Sequence, residues 1–395
     1  MKHNEMISFE EAYQKVIGSA VFLGIEKVDL AASLGRILAA DVRSDMDMPP
    51  FDKSAVDGYA CRKADLHGEL EVIEIIPAGK VPENIVTAGK CSKLMTGGMV
   101  PEGADTVIMV EHTVETSENH IRFVQEKTSA NICFLGEDIR KDEIVLQKGT
   151  VIRPQEIAVL ASVGCVEPEV FRCPVVGIIS TGDELVEPNQ KPATSQIRNS
   201  NAAQLVAQVQ KAGAIPKYFG IAADTEEATR EIIITALENS DMVLLTGGVS
   251  MGDFDFVPKI LEEIGISIQF KSIAVQPGRP TVFGTKEGKY LFGLPGNPVS
   301  SFVQFEMLVK PLLFALMGSV FKPLEIKLPM GVEYLRRQTK RKSFLPVFIK
   351  SGKVYPVEYH GSAHIHSFIF ADGIVSVEMG ETKLAEGVLV DVRQF

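Results

Sequence analysis

Residues 243–255 read VLLTGGVSMGDFD, and this stretch decides the fold. Val243, Leu244, Leu245 and Thr246 form a short run without polar alternation, the pattern of a strand buried on both faces. Gly247-Gly248 follow, where the backbone can turn through positive φ and lie close to a ligand. Ser250, Gly252, Asp253 and Asp255 complete the run with a hydroxyl and two carboxylates. A double glycine after a core strand is by itself an ordinary tight turn. Here the arrangement recurs three times. Val175–Thr181 leads into Gly182-Asp183-Glu184, the segment 218–222 leads into Asp224, and 290–294 leads into Pro295-Gly296-Asn297-Pro298. Helical patterns at 202–211, 226–237, 257–264 and 299–317 alternate with these segments, which predicts a mostly parallel α/β sheet with helices on its faces. Ligands of such sheets bind beyond the carboxyl ends of the strands, where all four polar clusters fall.

The chain of 395 residues exceeds what one hydrophobic core can organise, so several domains are expected. Its 45% apolar and 23% charged residues are those of a globular protein, and a net charge of −11 supplies no broad basic face for nucleic acid. The N-terminus lacks the apolar core of a signal peptide. The longest apolar stretch, 307–321, is interrupted by Lys310 and Pro311 and is too short to span a bilayer. The expectation is a cytoplasmic protein without a membrane partner. Cys61, Cys91, Cys133, Cys165 and Cys173 form no Cys-x-x-Cys pair, so neither a zinc knuckle nor a disulfide frame is indicated. His360, His364 and His366 gather, but no cysteine or acidic ligand pattern accompanies them. Gly97-Gly98 and Gly103 lack the lysine and hydroxyl of a phosphate-binding P-loop.

Taken in order, residues 1–43 together with 145–172 read as a helical N-terminal arm or linker domain. Ser8 and Glu11 have capping-box spacing, helical periodicity continues into the VDLAASLGRILAADV segment (28–42), and Pro154 stands near the start of a helical pattern over 150–166. Residues 44–144 read as a β-rich domain. It holds MPPFDKSAVDGYA (48–60), too dense in polar groups for a plain loop, and LMTGGMVPEGADTVI (94–108). Residues 173–318 form the α/β domain, and 319–395 a small C-terminal β domain expected to be a barrel. The cluster Lys340-Arg341-Lys342 either meets an anion or is a solvated turn; by itself the turn is the simpler reading.

The segments PPFDKSAVDGYA, LMTGGMVPEGADTVI, STGDEL, TGGVSMGDFD, PGRP and GLPGNPVS stand in the order and spacing of the molybdopterin molybdenumtransferases, the MoeA family that includes the E domain of gephyrin. The resemblance covers nearly the whole chain. It implies a MogA/MoaB-like central domain and insertion of molybdenum from molybdate into adenylyl-molybdopterin, releasing AMP with the help of Mg²⁺. It also implies four domains and an elongated homodimer whose cleft uses both subunits. A MogA-type adenylyltransferase and molybdoenzyme chaperones are the partners it suggests. By motif position, Asp57, Thr96, Glu184, Asp224 and Asp255 resemble catalytic residues, with Glu184, Asp224 and Asp255 as the magnesium ligands. Gly182, Asp183, Gly247, Gly248, Ser250, Gly252, Arg279, Pro295, Asn297, Pro298 and Ser362 resemble substrate-binding residues.

Elementary chemistry agrees at several points. Cleaving a phosphoanhydride calls for a hard cation held by carboxylates, which Glu184, Asp224 and Asp255 can supply from strand ends. Asp224 lies just before a helix and can equally be its N-cap. Backbone N–H groups at Gly247-Gly248 and after Asn297-Pro298 offer an uncharged anion cradle. Four positions depart from the family pattern. Cys133, Ser272, Gln276 and Pro346 stand where its basic residues are expected, while Arg279 replaces a lysine. Arg140, Lys340 or Arg341 can substitute from shifted positions. The alternatives are a non-catalytic molybdopterin carrier and a molybdopterin adenylyltransferase, although the latter needs only residues 170–318.

Overall fold

The protein is described by a computed structural model covering residues 6–248, 257–358 and 361–395. Ser250, Gly252, Asp253, Asp255 and His360 lie outside the described residues. The chain forms two compact units, one of 1–26, 35–39 and 169–395, the other of 27–34 and 40–168. The segments expected to share one helical arm are thus divided between units.

Ser8 starts helix α1 (Phe9–Gly18) by accepting the Glu11 N–H at 3.1 Å. The α1 helix belongs to the first unit. Phe9 meets Phe344 edge-on at 5.2 Å, Glu10 pairs with Lys342 at 2.8 Å, and Ile7 bridges to Ile273. The helical spacing over 28–42 does not produce a second α-helix. That segment holds a 3₁₀ turn, Leu30–Ala32, and the short strand Val42–Arg43. Asp29 makes no side-chain cap there, and Gly35 takes φ 77°, which no α-helix accommodates.

The second unit is β-rich as expected. Its main sheet uses β1 (Gly58–Cys61), β2 (Glu69–Ile76), β3 (Lys90–Leu94), β4 (Thr106–Met109), β5 (Thr113–Ser117) and β6 (His120–Phe123) in the order β4-β1-β3-β2-β6-β5. Alternation sends Tyr59 and Cys61 to a core with Leu70, Ile108 and Ile121, and Ala60 to another with Ile76, Leu94 and Val107. Helix α2 (Pro154–Ser162) has proline at its first turn, and Glu156 accepts the Arg153 N–H at 2.9 Å.

In the first unit the central sheet runs β8-β7-β9-β13-β12-β10, with β7 (Val175–Thr181), β8 (Ile215–Ala222), β9 (Met242–Thr246), β10 (Ser267–Phe270), β12 (Val282–Lys286) and β13 (Lys289–Leu294). Strands β8, β7, β9 and β13 are mutually parallel; β12 turns back against both β13 and β10, making the sheet mixed. The β9 strand lies in the middle with every residue buried, as its uninterrupted apolar run requires. Helices α3 (Ser200–Lys211), α4 (Glu226–Glu238), α5 (Val257–Glu263) and α6 (Pro298–Leu316) follow the strands. Ile179, Val243, Leu245 and Leu291 point to one core with Ile233 of α4 and Ile260 of α5.

Among the described residues α6 alone is long and apolar enough to cross a membrane, and 83% of it is buried in the protein. It contains a π turn at Phe305–Val309. Its Lys310, buried, pairs with Glu306 at 2.8 Å, and Gln208 donates to the same carboxylate at 2.9 Å. A charge so enclosed is tolerated because it is paired and hydrogen-bonded.

The last sheet combines β14 (Glu325–Pro329), β15 (Lys342–Lys350), β16 (Lys353–Pro356), β17 (Gly373–Val377) and β18 (Leu389–Gln394), in the order β15-β17-β18-β14 with β16 on β15. A two-residue strand from the α/β region, β11 (Val275–Gln276), joins it in parallel, Val275 opposite Lys342 and Gln276 opposite Ser343. The five cysteines are free thiols, with Cys61, Cys91 and Cys173 buried.

Candidate active site at the carboxyl edge of the central sheet

The carboxyl ends of four parallel neighbours carry the polar clusters in strand order: Asp224 after β8, Gly182-Asp183-Glu184 after β7, Gly247-Gly248 after β9, and Pro295–Pro298 after β13. At about 4.8 Å between strands the row spans roughly 14 Å. Its acidic end is tied across two turns. The Asp224 N–H donates to Asp183 Oδ1 at 3.1 Å, and the Asp183 N–H donates to Asp224 Oδ2 at 3.3 Å. Asp224 is therefore not the cap of α4; Thr225 is, accepting the Ala228 N–H at 3.2 Å. Glu184 is exposed, and its carboxylate folds over Gly182, so close that a Cβ there would lie 2.5 Å from Oε2. Gly182 has φ 141°, a conformation that favours glycine.

The middle of the row is glycine. Gly247 has φ 91°, and a Cβ on it would lie 2.7 Å from the Thr181 carbonyl oxygen; Gly296 backs onto Gly247 from the next turn. Part of the expected anion cradle is engaged within the protein. The Gly247 N–H donates to the Leu294 carbonyl at 3.3 Å, and the Val299 N–H at the start of α6 donates to the Ser362 carbonyl at 3.1 Å. Asn297 and Ser362 do meet, Nδ2 donating to Oγ at 2.8 Å.

Beyond β13 the chemistry changes sign. A cavity of ≈ 1260 Å³ is lined by Pro295, Asn297, Ser300 and Ser362, by the 276–280 turn with Arg279, and by 337–341. Lys271, Arg279, Arg337, Lys340 and Arg341 give it five cations, and among the described residues no carboxylate lines it, in a chain of net charge −11. Lys271 is paired with Glu262 at 2.7 Å, and Arg341 donates to Gln338 at 2.9 Å. Among the described residues Arg279, Arg337 and Lys340 have no carboxylate partner. The parallel pairing of β11 with β15 sets Val275 opposite Lys342 and Gln276 opposite Ser343, so residues 340–341, just before β15, come level with 273–274.

These observations revise the reading of the basic cluster. Lys340 and Arg341 face the cavity, while Lys342 is an internal tie, bonded at 2.8 Å to both Glu10 and Glu378. Of the four departures from the family pattern, Ser272 and Gln276 line the cavity. Pro346 does not; it is buried within β15, opposite Ile374. Cys133 and Arg140 belong to the other unit. Arg337 and Lys271 were not singled out in the sequence, where the only signal was the density of basic residues around 336–342.

In the second unit Asp57 and Thr96 form a close pair. Asp57 Oδ1 accepts from the Thr96 N–H at 2.6 Å and from its hydroxyl at 2.8 Å, and these bonds, the backbone one first, hold the carboxyl below the usual Asp range.

As for a metal, Asp183, Glu184 and Asp224 offer oxygen donors only, which suit a hard cation such as Mg²⁺ rather than a transition metal. Among the described residues no group of three or more His, Cys, Asp and Glu is gathered closely enough to hold an ion; Asp255 is outside them.

Comparison with known proteins agrees along the whole chain. Residues 7–164 match the MoeA N-terminal region (domain I and II), 177–315 a probable molybdopterin binding domain, and 332–395 the MoeA C-terminal region (domain IV). The molybdopterin molybdenumtransferase of Staphylococcus epidermidis is 35% identical over 397 residues, covering 98% of this chain and 95% of that protein. Its counterpart in Staphylococcus aureus strain Mu50 is 36% identical over 321 residues, 80% of this chain and 77% of that one. A crystal structure of the molybdopterin biosynthesis MoeA protein of Pyrococcus horikoshii OT3 matches with a TM-score of 0.86 at 31% identity, covering 99% of this chain and 100% of that chain. By sequence, by domain content and by fold, the chain belongs to the MoeA family of molybdopterin molybdenumtransferases.

Proposed function

We propose that this protein inserts molybdenum from molybdate into adenylyl-molybdopterin and releases AMP, the last step in forming the molybdenum cofactor. The observation that carries this reading is the cation-lined cavity beside Pro295–Pro298, with five positive side chains and no carboxylate among the described residues. Such a cavity suits a small tetrahedral oxyanion, because charge-assisted hydrogen bonds from fixed cations outweigh those from neutral donors. Lys340, Arg341 and Arg337, with Arg279, stand in for the basic residues missing at Ser272 and Gln276. The adenylylated pterin lies along the row of strand ends, its phosphates at the Gly247–Gly296 turns, where the backbone is bare enough for close approach.

Phosphates set between carboxylates would be repelled, so Glu184, Asp224 and Asp255 are proposed to hold Mg²⁺, which neutralises charge on the phosphoanhydride when bound. The protein's own groups then orient the substrate. Asn297 and Ser362, bonded to each other, set the approach of the oxyanion, and the Asp183–Asp224 bonds keep the acidic turns in register. Asp57, locked by Thr96, is proposed as a pterin-facing residue. A homodimer and a closed barrel in the terminal sheet complete the reading; a bridge between Met330 and Val354, joining β16 to the end of β14, supports the barrel.

The carrier alternative needs no anion cavity, so a cavity lined by five cations, of which Arg279, Arg337 and Lys340 have no carboxylate partner among the described residues, counts against it. The test is AMP release from adenylyl-molybdopterin, with molybdate and Mg²⁺ titrated separately. AMP release dependent on both is expected, and Glu184→Gln should require more Mg²⁺. Tight binding of the adenylylated pterin without any AMP release at saturating molybdate would favour the carrier.

A further inference from the structure

Beneath the row of turns runs a chain of polar side chains that the reaction just proposed does not use. Ser180, Thr246 and Asn199 are buried, at 0%, 2% and 2% exposure. Thr246 Oγ1 donates to Ser180 Oγ at 3.3 Å, and Ser180 Oγ donates to Asn199 Oδ1 at 3.1 Å. Asn199 Nδ2 reaches Tyr218 Oη at 3.0 Å, and the Tyr218 hydroxyl donates to Glu187 Oε1 at 2.8 Å. The register explains why these residues meet. Ser180 lies opposite Thr246, and Ile178, two residues before Ser180, lies opposite Tyr218, so all three polar side chains emerge on one face of the sheet. Asn199 is the N-cap of α3 on that face, accepting the Ala202 N–H at 3.2 Å with the same oxygen that binds Ser180.

Three members border a turn of the site. Ser180 precedes Thr181-Gly182, Thr246 precedes Gly247, and Glu187 follows the Gly182–Glu184 turn. The strand Ile197–Arg198, just before Asn199, pairs with Leu185–Val186, and the Ile197 N–H donates to the Glu184 carbonyl at 2.7 Å. Within the first turn of α3, Asn201 Nδ2 donates to the Gly296 carbonyl at 2.7 Å. The start of α3 is therefore bonded directly to the end of β7 and to the turn after β13, and through Ser180 to the end of β9.

A buried network of this kind is satisfied only if every member is in its own position, and it sets geometry more than it adds stability. We propose that Asn199 is a positioning residue for the transfer reaction: by capping α3 while linking Ser180 to Tyr218, it keeps the three turns in the mutual register that the adenylylated pterin requires. This rests on the reading of those turns as the substrate site.

The test compares Asn199→Ser, Asn199→Asp and Tyr218→Phe in the full chain. Serine still caps α3 but is too short to hold Ser180 and Tyr218 at once. Aspartate keeps both acceptor roles and lets the Tyr218 hydroxyl donate to it instead. We expect Asn199→Ser to lower kcat for AMP release by about ten- to a hundredfold, the scale of a small misplacement of bound groups. It should also weaken equilibrium binding of adenylyl-molybdopterin while the unfolding midpoint stays near that of the wild type. Asn199→Asp should restore most of the loss, and Tyr218→Phe should fall between. Wild-type kcat and binding in Asn199→Ser, or a loss that only follows the fraction unfolded, overturns the proposal. Wild-type protein unable to bind adenylyl-molybdopterin overturns the site reading and the proposal with it.

Discussion

Removing Lys340 and Arg341 tests whether the cavity charge serves the oxyanion. The two residues stand at the amino end of β15 and line a cavity that holds no acid among the described residues. A hydrogen bond from a cation to an anionic ligand contributes about 1.5–3 kcal/mol, or roughly one to two decades of affinity. Arg341 already donates to Gln338, and both cations act on one ligand, so the two losses should not add fully. Lys340→Ala combined with Arg341→Ala should then raise the molybdate needed for half-maximal AMP release by about two decades. The neighbouring Lys342→Ala is the control. Its ammonium is bonded to Glu10 and Glu378, whose carboxylates are largely exposed, so its loss should cost about 1 kcal/mol of stability. That corresponds to a fall of about 2–4 °C in Tm, with an unchanged molybdate requirement. The assay is a molybdate titration of AMP release at low and moderate salt, with a thermal melt of each variant. Added salt should weaken the wild type more than the double variant. A double variant with the wild-type molybdate dependence refutes the assignment of this cavity.

Gln276→Lys adds a cation to the cavity wall and should lower the molybdate requirement about tenfold, the effect of one such hydrogen bond; Pro346→Arg, which buries a charge in β15, should give poorly folded protein instead, as a melt would reveal. Gly247→Ala sets a Cβ 2.7 Å from the Thr181 carbonyl at φ 91°, so it should cost about 1–3 kcal/mol and depress turnover; a fully active, equally stable variant would mean the turn gives way freely. The bond from Lys342 holds the Glu10 carboxyl below the usual Glu range, which means that the folded state binds fewer protons than the unfolded one. The stability from this tie is present above the unfolded Glu pKa and is lost as pH falls through the lowered folded value. Chemical melts of wild type and Glu10→Gln should accordingly converge in acid and differ near neutrality; a constant difference would contradict the linkage.

The α/β region was legible because its information is local. A short run at 243–246 without polar alternation, closed by a double glycine, has the pattern of a strand buried on both faces, and a Cβ at 182 or 247 would strike Glu184 or the Thr181 carbonyl. Motif order carried the family for the same reason, since each motif is a strand end with its turn. Local pattern misled where the deciding contact was distant. Residues 28–42 have helical spacing, yet Gly35 needs a left-handed backbone and the segment finds its partners in 166–171, giving a 3₁₀ turn and isolated bridges. Asp224 and Thr225 are both acceptable caps in sequence; Thr225 takes the role because Asp224 is drawn to the Asp183 turn. The tertiary structure alone divides the basic run, sending Lys340 and Arg341 to the cavity and Lys342 to Glu10 and Glu378. That division follows from two residues of β11 pairing with β15 some sixty-seven positions away, counting from Val275 to Lys342. Periodicity reports which way a side chain points from its own strand, but which charge it then meets is set by the strand laid alongside, and that choice is made by packing across the whole unit.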